Sequence, residues 1–95
     1  DHTPPQILEA TARRDGDRLI VTVHGRDALS LLEGIETVFN NGTHDQTEQP
    51  VDGIRDGREE TFRIEFPLER VGSASSVEVS LYDMVGNAAT QRLSW

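Results

Sequence analysis

Cysteine is absent from the 95 residues. That excludes a disulfide framework, a zinc–thiolate centre and a thiol nucleophile. Stability must therefore come from packing alone, and a chain of this length buries only one core, with little margin. Basic residues are scarce, at nine against seventeen acidic ones, giving a formal net charge of -8. This is a poor footprint for phosphate backbones and excludes nucleic acid as the expected partner. The acids are spread along the chain and read as a solvated surface that favours cations over anions. No apolar run approaches the roughly 20 residues needed for a membrane-spanning helix. Aromatics are few, at three Phe, one Trp and one Tyr, which leaves little material for a sugar-stacking platform.

What is present is short-period alternation. Pro4 and Pro5 make residues 1–5 a linker, and residues 6–95 read as a single domain. A first strand is expected over Gln6 to Arg13, with Leu8, Ala10 and Ala12 on one face. Asp15-Gly16-Asp17 is a hairpin turn, followed by Arg18 to Gly25 with Leu19, Val21 and Val23 on one side. The strongest signal is Phe62, Ile64, Phe66 and Leu68 alternating with Arg63, Glu65 and Pro67. Val77, Val79 and Leu81 repeat it, Asp83 to Asn87 turns the chain, and Ala88 to Trp95 returns.

Residues 30–40 are ambiguous. Ala28, Leu31, Leu32, Ile35, Val38 and Phe39 fall at helical spacing, and Ser30 with Glu33 has the pattern of a capping box. Gly34 and the β-branched Ile35, Thr37 and Val38 oppose a helix. The expectation is a loop with one helical turn, then a strand from about Ile35 to Asn40. Thr43 to Gln49 is a short edge strand or loop, and Pro50 to Gly57 a long acidic loop. The tally is an all-β antiparallel sandwich of about seven strands.

Three patches carry a resemblance. They are Gly25-Arg26-Asp27-Ala28-Leu29-Ser30 leading to Glu36 and Asn40-Asn41-Gly42; Pro50-Val51-Asp52-Gly53-Ile54-Arg55-Asp56 before Glu60-Thr61-Phe62; and Val79-Ser80-Leu81-Tyr82-Asp83 with Gly86-Asn87. Together they resemble immunoglobulin-like or fibronectin-III-like modules appended to large bacterial secreted proteins. The resemblance departs at Thr37, where an aromatic is common, and in the lack of a Trp after Asn41-Gly42. It implies a non-catalytic accessory domain (a spacer, stabiliser or docking surface) in an extracytoplasmic protein. It also implies a fragment of a longer chain, partnered by a neighbouring domain and monomeric when isolated, with no membrane insertion. Both ends of the sequence read as domain boundaries.

Candidate chemistry is thin. His2, His24 and His44 have no metal-ligand spacing. Ser30, His24 and Asp27 could be written as a triad, but no nucleophile elbow or oxyanion segment accompanies them. Glu59 and Glu60 are adjacent and face opposite sides of a strand. No catalytic residue and no cofactor are therefore assigned. The sharper alternative is a calcium- or polysaccharide-binding module. Asp27, Asp52, Asp56 and Asp83, with Glu59 and Asn87 nearby in sequence, supply the oxygen ligands calcium takes. The simpler reading has Asp27, Asp52 and Asp83 accepting backbone N–H bonds and fixing turns. Asn41-Gly42-Thr43 is formally a glycosylation sequon and also a turn.

Overall fold

Alternation decides which face each strand buries. In the computed structural model, which describes residues 4–51 and 58–95, the strands are β1 (Gln6–Asp15), β2 (Arg18–Arg26), β3 (Leu32–Phe39), β4 (His44–Thr47), β5 (Glu59–Pro67), β6 (Ser76–Asp83) and β7 (Ala88–Ser94). A four-residue helix, α1 (Leu68–Val71), joins β5 to β6. All pairings are antiparallel, in one sheet of order β1-β2-β5 and a second of order β4-β3-β6-β7. The two sheets enclose Leu19, Val21 and Val23 of β2, Phe62 and Phe66 of β5, Ile35 and Phe39 of β3, and Val77, Val79 and Leu81 of β6. This is the expected all-β sandwich.

The stretch at residues 30–40 contains no helical turn, and its strand begins at Leu32 rather than Ile35. The cause is a bulge. Leu32 pairs with Asp83 and Gly34 with Tyr82, so one residue is inserted in β3. The insertion puts Leu32 and Ile35 on the same face three positions apart, which imitates helical spacing. Thereafter Ile35, Thr37 and Phe39 alternate inward, while Leu31 and Val38, which a helix would have covered, are exposed. Thr37 is fully buried and its hydroxyl donates to the Asp45 carbonyl at 3.2 Å.

β1 holds a second bulge, between Ile7 and Glu9. It turns Leu8 outward and aligns Ile7 with Ala10 and Ala12 against the core, correcting the face expected for Leu8. At the other end of the sandwich, Leu68 is not the last residue of the strand but the first of α1. Pro67 lacks the N–H that would continue the ladder, so β5 stops there. Leu68 N–H instead donates to the Asp17 carbonyl at 3.0 Å, and Val71 drops into the core.

Gly34 has no room for a side chain. A Cβ there would strike the Thr47 carbonyl oxygen and lie 3.0 Å from Glu48 Cα, both backbone atoms. Backbone cannot rotate away as a side chain can, so β4 would have to separate from β3. Gly34→Ala should therefore cost about 1–3 kcal/mol, as overpacking does. A urea melt checks this, and an unchanged midpoint would mean that β4 yields freely.

The strand path defines two poles. Gln6 pairs with Arg26 and Arg26 with Glu59, so β1 starts, β2 ends and β5 starts at one end. The 27–31 crossover and the 84–87 turn lie at this N-terminal pole, joined by a Met84 N–H to Leu31 carbonyl bond of 2.9 Å. β7 finishes at the opposite pole, where Ser94 pairs with Ser76. Trp95 follows and packs edge-on against Phe39, with ring centroids 5.7 Å apart.

Candidate functional site

The N-terminal pole holds two of the acids singled out by sequence, Asp27 and Asp83. Asp27 follows β2, where the chain leaves one sheet for the other, and its N–H donates to the Arg58 carbonyl. Its Oδ1 accepts from the N–H groups of Leu29 at 2.8 Å and Ser30 at 2.9 Å, an Asx turn that shapes the crossover. Asp83 ends β6. Its Oδ1 accepts from Val85 N–H at 3.1 Å and Asn87 N–H at 2.8 Å, and its Oδ2 from the Asn87 side-chain amide at 3.1 Å. Gly86 takes φ 92° in this turn, which a Cβ would strain.

Both carboxyls are buried, Asp27 at 3% exposure and Asp83 at 0%. The Asp27 side chain is among the hydrogen-bonding groups that act on Asp83. Burial raises the Asp83 pKa, but the bonds from Asn87, Asp27 and Val85 outweigh it and hold the group below its ordinary value. Asp27 Oδ2 has no hydrogen-bond partner. Asp52 and Asp56 lie outside the described residues. Of the four candidate calcium ligands, Asp27 and Asp83 lie at the same pole. Both also do the turn-fixing work of the simpler reading.

The paper triad does not assemble. The Ser30 hydroxyl donates to the Leu31 carbonyl at 3.4 Å, and His24 Nε2 lies 2.9 Å from Glu59 Oε2. Asp27 bonds the Ser30 backbone, not its hydroxyl. Glu59 and Glu60 do face opposite ways, Glu59 exposed and Glu60 buried on the inner face in register with Gly25. His44 is exposed, and its carbonyl accepts from Arg70 at 3.4 Å. The Asn41 side-chain nitrogen, the acceptor atom of the sequon, donates to the Val71 carbonyl at 2.9 Å.

One hollow of about 270 Å³ lies on the outer side of the four-stranded sheet, lined by Glu33, Glu36, Gln46, Glu48 and Tyr82. The Tyr82 hydroxyl donates to Glu36 Oε1 at 3.1 Å. Burial, then the bond to Glu36 and its charge, raise the phenol above its ordinary pKa. The three Phe residues are buried and Trp95 packs on Phe39, so Tyr82 is the aromatic that lines this hollow.

Sequence reasoning missed two features. The inward Glu60 is a charged residue at the start of an apolar alternation, which the period of two already places on the Phe62 face. The exposed Leu29, Leu31, Met84 and Val85 share the pole with the two aspartates. They were hidden because their grouping depends on two loops distant in sequence. No helix among the described residues is long and apolar enough to cross a membrane. No protein-family model matches the chain, and no curated protein or solved structure matches it.

Proposed function

We propose that this chain is a non-catalytic module of a larger extracytoplasmic protein, of the fibronectin-III-like kind, acting as a spacer, stabiliser or docking domain beside a neighbouring domain. The observation that carries the reading is the strand path. β1 begins at one pole and β7 ends at the other, along a body of 39 × 24 × 18 Å. A module threaded this way carries neighbours in line. The division into three and four strands, with β4 beside β3, also fits the fibronectin-III arrangement. The exposed Leu29, Leu31, Met84 and Val85 give the N-terminal pole an apolar surface suited to an adjoining domain. Bacterial origin and secretion rest on the sequence resemblance.

The test compares the thermal midpoint of the module alone with its midpoint inside the parent chain, before and after a Leu29→Ser, Val85→Ser double change. A docking module melts several degrees higher in the parent, and the double change removes that gain while leaving the isolated module as it was. Equal midpoints assign the passive spacer. Turnover by the isolated chain on ester, glycoside or peptide substrates would overturn the proposal.

A further inference from the structure

We propose that Asn41 is a site of spontaneous deamidation, and that its conversion to a carboxylate unfastens the β3–β4 turn from α1.

The chemistry depends on the residue that follows. A backbone nitrogen attacks the side-chain amide carbon of the asparagine before it. A side chain on the attacking residue hinders that approach, and glycine has none. The chain holds three asparagines, Asn40, Asn41 and Asn87, followed by Asn41, Gly42 and Ala88. Asn41 alone precedes glycine. It is exposed, and nothing lies within 4 Å of where a Cβ on Gly42 would stand, so water and hydroxide reach the peptide. In the step, hydroxide removes the Gly42 amide proton and the nitrogen bonds to Asn41 Cγ. The bond from Cγ to Nδ2 breaks, and that nitrogen leaves as ammonia with a proton taken from water. Water then opens the succinimide ring at either carbonyl, giving aspartate or isoaspartate.

The fold restrains this reaction. The Asn41 amide is held at both ends, Nδ2 donating to the Val71 carbonyl at 2.9 Å and Oδ1 accepting from Thr43 N–H at 3.0 Å. The attacking group is engaged too, since Gly42 N–H donates to the Phe39 carbonyl at 3.0 Å. Attack requires the turn to open, so the rate follows local opening.

The consequence follows from counting donors. An amide both donates and accepts, whereas a carboxylate only accepts. Aspartate at this position keeps the Thr43 bond but sets an anionic oxygen against the Val71 carbonyl. The tie it loses is shorter than the others between this region and α1, which run from the Thr43 hydroxyl to the Arg70 carbonyl at 3.3 Å and from Arg70 to Asp45 and the His44 carbonyl at 3.4 Å. It also ends on the residue of α1 whose side chain is buried in the core. Isoaspartate adds a methylene to the backbone inside the turn that Phe39 N–H and the Thr43 carbonyl close at 2.8 Å.

The experiment incubates the whole chain at mildly alkaline pH, in buffer and in guanidinium chloride, and follows its peptides by mass spectrometry. The mass gain of an amide turned to an acid should appear at Asn41 before Asn40 or Asn87, and several-fold faster in denaturant. Asn41→Asp, which makes one product directly, should melt about 4–8 °C below the parent at neutral pH. That gap should narrow below about pH 3.9, where the carboxyl regains a proton to donate. The proposal is overturned if Asn41 keeps its amide in denaturant, or if Asn40 or Asn87 converts first. Equal rates in the two solvents would remove the restraint by the turn, and an Asn41→Asp midpoint equal to the parent's would remove the fastening role. The mass measurement is made on the parent chain, so it decides the site whether or not Asn41→Asp folds.

Discussion

Phe66→Ala should lower the unfolding free energy by about 3–5 kcal/mol. Phe66 is fully buried at the end of β5. Its ring meets Phe39 edge-on, with centroids 4.8 Å apart and planes at 84°. The Arg70 guanidinium caps the ring at 5.6 Å from its centroid. Truncation removes the transfer energy of the ring and leaves a cavity between two sheets that backbone hydrogen bonds hold apart. It also removes an edge-to-face pair worth about 0.5–1.5 kcal/mol. Domains of this size have about 5–15 kcal/mol in total, so the variant should fold but melt at least about 12 °C lower. Chemical denaturation measures the difference. Ile64→Ala is the internal comparison, because Ile64 lies on the same strand face but is only partly buried. If both cost the same, the core would not be centred on the Phe39–Phe66 contact.

That comparison rests on a phase legible in the sequence. Phe62, Ile64 and Phe66 needed only a period of two, and no insertion disturbs β5. The same rule misplaced Leu8 and blurred residues 30–40, because each segment contains a bulge. A bulge adds one residue to one strand, and the partner that defines it is elsewhere in the chain. Composition within the segment therefore cannot reveal it. In β3 the insertion placed Leu32 and Ile35 three apart, the signature of a helix, and only the outward Leu31 and Val38 betray the strand. The end of β5 was a different error. Pro67 was read as one more outward residue, whereas its missing N–H is what lets the chain turn into α1.

The candidate site was half legible. Asp83 could be read as a turn aspartate from Gly86 and Asn87 beside it, and Asp27 as the acid ending a strand. That the two carboxyls share a pole follows from topology. The β2–β3 crossover and the β6–β7 turn fall at one pole because β3 and β6 are antiparallel neighbours, with Leu32 opposite Asp83. Sequence spacing holds no trace of that register. The orphan state of Asp27 Oδ2 depends on it as well, since the local Asx turn uses only Oδ1.

Asp83→Ala should be the most damaging change outside the apolar core, at about 2–4 kcal/mol. Three donors lose their acceptor together: the N–H groups of Val85 and Asn87 and the Asn87 amide. A buried donor left unpaired costs about 1–3 kcal/mol, and water entering the pole can relieve part of that sum. Asp83→Asn should cost less, because its carbonyl oxygen can still receive both backbone donors and only the contact with the Asn87 amide is lost. The difference between the two variants isolates what the side-chain acceptor does for the turn. Two backbone bonds remain in either variant, Asp83 N–H to the Asn87 carbonyl at 3.0 Å and Gly86 N–H to the Asp83 carbonyl at 3.3 Å. If Asp83→Ala were no worse than Asp83→Asn in a thermal melt, those backbone bonds alone would hold the hairpin. The buried carboxylate would then have no structural role in this turn, although three donors converge on it.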